Sequence, residues 1–226
     1  MSRRISHSLL DPHVGPVCKR VYSRLHIPAR FPPEGIVAIG HVSAIVGAIG
    51  FAYSTTLWWA GLVAAAGVLG NHFADCIDGT HARATGQCRN GGELLDHFTD
   101  PLSFAYVLIG IAVGCGRLGW GLAAVCCLFA FAVLTNIKAK MVGDFELAAF
   151  GPTEMKATLV GLGVIVAVIA ISPASGATAS FVMSAALVIA VPIGIAKLGI
   201  ELKRTVKQVN ASEKQPDTSE WINTAA

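Results

Sequence analysis

The chain has 226 residues, 54% of them hydrophobic and 14% charged, with a formal net charge of +3. A soluble domain carries about 25% charged residues, so these charges are too few to cover a water-exposed surface, and a bilayer is the solvent that suits such a composition. No basic stripe is present, which excludes nucleic acid as a partner.

From the N-terminus, Ser2 to Arg30 is polar, basic and interrupted by prolines, and does not read as a secretory signal. Within it Val17, Val21, Tyr22 and Leu25 recur at helical spacing, with Lys19, Arg20 and Arg24 between them. That pattern predicts a short amphipathic helix in the cytoplasmic headgroup layer; a solvated basic arm is the alternative. Six apolar segments follow, near Ile36–Thr55, Leu57–Asp75, Leu94–Cys115, Leu118–Ile137, Ala157–Ile171 and Ala177–Leu198. A spanning helix needs about 20 residues, so the fifth must recruit flanking residues. From Thr205 onward, through Gln215, Pro216 and Asp217, the chain is polar and is expected to be disordered. The predicted fold is all-α, an integral membrane bundle of six transmembrane helices. A cytoplasmic arm (1–34) precedes the six-helix transmembrane domain (35–204), and a tail (205–226) follows it. Cys18, Cys76, Cys88, Cys115, Cys126 and Cys127 form no C-x-x-C pair, so they read as small apolar fillers rather than zinc ligands.

Charge placement orients the bundle. The turn Tyr53-Ser54-Thr55-Thr56 carries no Lys or Arg, the turn after the third segment carries only Arg117, and Ser172 to Thr178 carries none. The opposite side gathers the arm, Arg83, Arg89, Lys138, Lys140, Lys156, Lys197, Lys203, Arg204, Lys207 and Lys214. The basic side is cytoplasmic, with both termini inside. Tyr53, Trp58, Trp59 and Trp120 fall at the outer ends, where an aromatic belt belongs.

Chemistry concentrates between Asn71 and Phe104. Asp75 and Asp78 lie three apart and share a helix face with Gly79 and Ala82; Asp96 and Asp100 lie four apart on the next helix. A short connection containing Gly86, Asn90, Gly91 and Gly92 makes the two helices antiparallel neighbours, so that the carboxylate pairs converge near the cytoplasmic boundary. A charge inside a spanning helix costs about 2.5–3.5 kcal/mol, and four phased aspartates call for compensation. Carboxylate oxygens are hard ligands suited to Mg²⁺ or Mn²⁺, and four can hold two such ions, a clamp for a phosphoryl centre. Gly79 and Ala82 either let an anion approach the backbone or serve close helix packing. Arg83 can reach a diphosphate oxygen.

These residues spell D-x-x-D-G-x-x-A-R-x8-G-x3-D-x3-D, with Asp75, Asp78, Gly79, Ala82, Arg83, Gly92, Asp96 and Asp100 at the fixed positions. The pattern resembles the signature of the CDP-alcohol phosphotransferases. That resemblance implies an enzyme of phospholipid synthesis that moves a substituted phosphate from a CDP-linked donor to a lipid or alcohol acceptor, releasing CMP. It further implies that Asp75, Asp78, Asp96 and Asp100 hold two divalent ions. The CDP would lie over Gly79, Ala82 and Gly92, Asp100 would be a candidate base, and the protein would be a homodimer among membrane lipids. The start of the first span, Pro32-Pro33-Glu34-Gly35, departs from the family's common Pro-Asn-x-x-Thr/Ser.

Gly92-Glu93-Leu94-Leu95-Asp96-His97-Phe98-Thr99-Asp100 is similar to the G-E-L-F-D-H-G-C-D segment of the choline and ethanolamine phosphotransferases, and Gly151-Pro152-Thr153-Glu154 to their G-P-x-E. In that subgroup the histidine, oriented by the glutamate, is implicated as base toward diacylglycerol. Glu93 and His97 are four apart, and a pKa near 6.5 suits His97 to proton transfer. Alternatively His97 hydrogen-bonds a metal-bound aspartate. Phe98 and Thr99 depart from the subgroup, which keeps open a CDP-diacylglycerol donor with inositol phosphate, glycerol phosphate or serine as acceptor. His72 and His81 break the motif's phase and read as packing residues. A cation transporter would want charges near the midplane of several helices, whereas here they gather at one boundary. A non-catalytic scaffold would have no need of the intact signature.

Overall fold

A computed structural model of the chain describes residues 3–171, 175–212 and 218–219. Among the described residues seven helices carry the fold: α1 (Asp11–Leu25), α2 (Pro33–Tyr53), α3 (Ala60–Thr85), α4 (Asn90–Gly114), α5 (Leu118–Val142), α6 (Pro152–Ala170) and α7 (Ser175–Asn210). Six of them, α2 to α7, are long and apolar enough to cross a membrane. The fold is all-α apart from two four-residue strands, β1 (Arg3–Ser6) and β2 (Asp144–Leu147), which pair in parallel with Arg3 opposite Asp144.

The six long helices close into a ring in the order α3, α2, α4, α5, α7, α6 and back to α3. Their shared core contains Phe51, Val68, Phe104, Leu108, Ile111, Val166, Met183 and Leu187. Lipid tails are as apolar as these side chains, so helices in a bilayer associate through close packing rather than through escape from water. The glycines supply that closeness on one side of the ring. A Cβ on Gly67 would press into the backbone of Gly47, one on Gly110 into the carbonyl of Ala48, and one on Gly61 would lie 2.6 Å from the carbonyl oxygen of Gly163. Thus α2 meets both α3 and α4, and α3 meets α6, backbone to backbone.

This packing corrects one expectation. Although α3 and α4 are consecutive and antiparallel, they touch little, because α2 fills the wedge between them. They approach only toward the end where Gly86, with φ +69, caps α3 and its N–H bonds the Ala82 carbonyl. Small residues on α2 are what admit it between the other two. The carboxylates therefore converge across the tip of α2, not across a two-helix seam.

At the same end α1 packs on α3. Val21 and Tyr22 join Phe31, Ile36, Ala74 and Ile77 in a second apolar cluster, while Val17 and Leu25 stay exposed. His81, fully buried, joins the Tyr22 hydroxyl at 3.0 Å through Nδ1 and the Phe31 carbonyl at 2.9 Å through Nε2, which makes it a packing residue. The fifth span starts at Pro152, earlier than its apolar run, and so takes in Lys156. Helix α7 continues to Asn210, past Thr205, where the polar tail was expected to begin. Glu201, just beyond the predicted end of the sixth span at Leu198, accepts from Lys138 of α5 at 3.0 Å, and Thr205 is buried. Gln215, Pro216 and Asp217 lie outside the described residues.

Candidate active site

Each signature aspartate owes its place to helical phase. Asp75 and Asp78 sit on the last turns of α3, and Asp96 and Asp100 on the first turns of α4. Counted at 1.5 Å per residue, Asp78 lies about 10 Å and Asp75 about 15 Å along α3 from its end. One oxygen from each of Asp75, Asp78 and Asp96 lies within 4.8 Å of the others. Three like charges at that spacing repel by about 3.5 kcal/mol per pair at an effective dielectric of ~20. The sum, about 10 kcal/mol, rivals the net stability of a whole domain. A hard divalent cation fits this donor set, since three carboxylate oxygens are what Mg²⁺ or Mn²⁺ prefers.

The cleft around the triad is lined from three helices. Asp96, Thr99, Asp100 and Ser103 come from α4, Asn71, Ala74, Asp75 and Asp78 from α3, and Val37, Gly40 and His41 from α2. Asn71 donates to the Gly40 carbonyl at 3.1 Å, and the backbone N–H of Gly79 donates to the Asp78 carboxylate. His41 spans two hydroxyls of α4, Ser103 at 3.1 Å and Tyr106 at 3.0 Å. Asn71 was named only as the start of a stretch and Thr99 only as a departure from the subgroup, while His41 and Ser103 were not singled out in the sequence. A polar residue within an apolar run is their only linear signal, and α2 carries no aspartate to draw attention to it.

Asp100 lines the cleft but stands outside the triad. It faces Lys156 of α6, whose ammonium lies 2.6 Å from Asp75 Oδ2 and 3.7 Å from Asp100 Oδ1. Lys156 is 2% exposed, and its Nζ lies 5.5 Å from the centre of the Phe104 ring. By sequence it counted among the cytoplasmic flanking charges, because the apolar run begins one residue later, at Ala157.

The remaining signature residues border this centre. The space a Cβ would take on Gly79 meets the Arg83 guanidinium at 3.2 Å, while above Gly92 there is open space. Ala82 is half-buried on the same face as Gly79. The Glu93 Oε1 and His97 Nε2 atoms lie 3.8 Å apart, beyond hydrogen-bond distance, and neither residue lines the cleft. His97 sits three residues before Asp100, at the edge of the face that carries Asp96, Asp100 and Ser103.

Comparison with known proteins bears directly on this geometry. Residues 36–196 match the CDP-alcohol phosphatidyltransferase family, a stretch that runs from α2 into α7 and contains every aspartate of the cleft. The chain belongs to the CDP-alcohol phosphatidyltransferase family. Among curated relatives, it is 32% identical over 117 residues to an archaetidylinositol phosphate synthase of Pyrococcus horikoshii, covering 51% of this chain and 59% of the relative. It is 32% identical over 99 residues to the human cholinephosphotransferase 1, covering 41% of this chain and 24% of that protein. The zebrafish (Danio rerio) cholinephosphotransferase 1 is 33% identical over 109 residues, 45% of this chain and 28% of that protein. The matches thus span less than two thirds of the first of these relatives and under a third of the other two. Within this family member, the described residues hold an aspartate cluster that could bind a divalent metal, at one end of six helices long and apolar enough to cross a membrane.

Glu154, the last residue of the G-P-x-E segment, takes a different part from the cleft residues. Its Oε2 accepts the Gly151 N–H at 2.9 Å, closing the first turn of α6. Its Oε1 accepts the Ser8 hydroxyl at 2.6 Å, the Leu9 N–H at 2.9 Å and the Leu10 N–H at 3.1 Å. Glu154 therefore fastens the N-terminal arm to α6. Beside it Thr153 donates to Asp11 at 2.6 Å. Partial burial pushes the Asp11 carboxyl up, but hydrogen bonds from Thr153, Ser6 and Ser8 outweigh it and hold the group below its usual range.

Proposed function

We propose that the protein transfers a substituted phosphate from a CDP-activated donor to an alcohol acceptor in phospholipid synthesis, releasing CMP at the cytoplasmic end of the bundle. The observation that carries this reading is the convergence of Asp75, Asp78 and Asp96 within 4.8 Å, in a cleft where Asp100 is the fourth carboxylate. Divalent cation held there, in one or two ions, would neutralise the donor's phosphoryl oxygens. The protein's own groups do the rest. Arg83 reaches a diphosphate oxygen, and the CDP lies over Gly79, Ala82 and the open face at Gly92. The acceptor oxygen bonds to the donor phosphorus, the bond to the CMP oxygen breaks, and the acceptor proton passes to a carboxylate or imidazole. Asp100 lines the cleft and is the nearer base; His97, paired with Glu93, is the other. The basic flanks and uncharged turns support an inward-facing site and inward termini, with the arm, six-helix domain and tail divided near residues 34 and 204. A homodimer completes the reading by family resemblance.

Two donors compete. The Gly92–Asp100 segment and the Glu93–His97 contact favour CDP-choline or CDP-ethanolamine with diacylglycerol. The resemblance to the Pyrococcus horikoshii synthase favours a CDP-activated lipid donor with a small polar acceptor. Purified protein in mixed micelles, offered each donor with its acceptor and assayed for CMP, separates them. CMP release from none of the combinations would defeat the proposal.

A further inference from the structure

The aspartate centre holds one fixed cation that neither its signature nor its family match assigns. Lys156 comes from α6, the helix that closes the ring onto α3, and its side chain is 2% exposed. A buried ammonium is costly unless its charge is answered, and here two carboxylates answer it. At 2.6 Å to Asp75 it makes a charge-assisted hydrogen bond, and at 3.7 Å it reaches Asp100 as an ion pair. Asp75 belongs to the triad and Asp100 does not. The ammonium is thus the link that holds the fourth carboxylate to the other three.

We propose that Lys156 is a built-in counter-cation of the aspartate centre and a positioning residue for Asp100. It offsets carboxylate repulsion when no metal is bound, and it competes with divalent metal for the same negative charge. Its hold on Asp100 Oδ1 sets the placement of that side chain in the cleft. This inference rests on the proposed metal site at Asp75, Asp78 and Asp96, and it carries an unusual signature. Removing the lysine's charge should tighten metal binding and yet impair catalysis. A lysine that only packed the helices would produce neither effect, and its loss would lower stability equally with and without metal.

The test uses the full-length protein, purified in detergent, with Mn²⁺ binding read by electron paramagnetic resonance and melting temperature read in Mg²⁺ and in chelator. For K156M the Mn²⁺ dissociation constant should fall at least tenfold, a change of about 1.4 kcal/mol. Its melting temperature should drop in chelator and recover in Mg²⁺, so that the metal-induced shift exceeds that of wild type. Turnover should fall at least tenfold with the donor KM little changed. K156R keeps the charge and should bind Mn²⁺ within about threefold of wild type. If K156M fails to purify, K156Q keeps a donor to Asp75 without the charge and reads the same sign. Unchanged or weaker Mn²⁺ binding in the neutral variant would overturn the proposal. Absence of Mn²⁺ binding in wild type, or its persistence in D96N, would instead overturn the metal site itself. The chelator melting temperatures would then still report whether Lys156 offsets the carboxylates.

Discussion

The two sides of the helix ring are held by different means. On one side α2, α3, α4 and α6 meet backbone to backbone at Gly47, Gly67, Gly110, Gly61 and Gly163. On the other, α5 buries only Gly121 and Lys138 and presents Leu122, Val133 and Ile137 outward. The first side carries every cleft residue and the second carries none. A centre of like charges must be held to within a fraction of an ångström, and glycine-mediated contact leaves helices no room to slide. The α5 side has no such duty, and its apolar faces suit lipid.

The largest expected effect tests whether the rigid side is a metal centre. Thorough chelation of the purified enzyme should abolish CMP release, and Mg²⁺ or Mn²⁺ should restore it. Undiminished release in chelator would reduce the glycine-packed side to a packing feature. Next come D75N, D78N, D96N and D100N. Each should lower turnover by at least about 10²-fold while the protein still inserts and purifies, because an amide is no harder to insert than a carboxylate. A variant with near-normal turnover at saturating metal removes that residue from the centre.

His97→Ala sharpens the picture within α4. With His97 as base the loss in turnover reaches about 10²-fold or more, Glu93→Gln costs less, and the two losses are non-additive. With Asp100 as base His97→Ala is mild, the outcome favoured by the cleft lining. Turnover with each donor–acceptor pair decides between them.

Glycine substitutions probe the comparison itself. G110A forces a methyl into the Ala48 carbonyl and should cost about 1–3 kcal/mol, read as a lower melting temperature with a parallel loss of activity. G161A, whose new methyl meets nothing within 4 Å, should be neutral. Equal tolerance of both would mean that the close approach does not hold the site. The smallest effect is on topology. Ser54 is buried against Phe51 and Met183, so exposed Thr56 is the better outer probe. In a cysteine-free background on intact cells, T56C should react with an impermeant thiol reagent and G91C should not. The reverse pattern would invert the bundle.

Composition and helical phase sufficed for much of this protein. Low charge and six apolar runs dictate an all-α membrane bundle, because only internally hydrogen-bonded helices or closed barrels satisfy the backbone in lipid. The spacing of Asp75, Asp78, Asp96 and Asp100 places each pair on one face, because those offsets are local properties of a helix. Which helices stand side by side is not local. That α2 rather than α4 packs along α3 depends on which small residues face which backbone, a matching between distant segments with no linear trace. The same holds for Lys156: one residue outside an apolar run it reads as a flanking charge, and only the closure of α6 onto α3 carries it 81 positions back along the chain to Asp75. His41 likewise joins the cleft because α2 fills the wedge. Glu154 was legible as a motif but not as a fastener, since its partners Ser8, Leu9 and Leu10 lie some 145 residues away. The sequence alone determined the four carboxylates, through helical periodicity. Tertiary packing decided the cation and the histidine that stand beside them, because Lys156 arrives from α6 and His41 from α2.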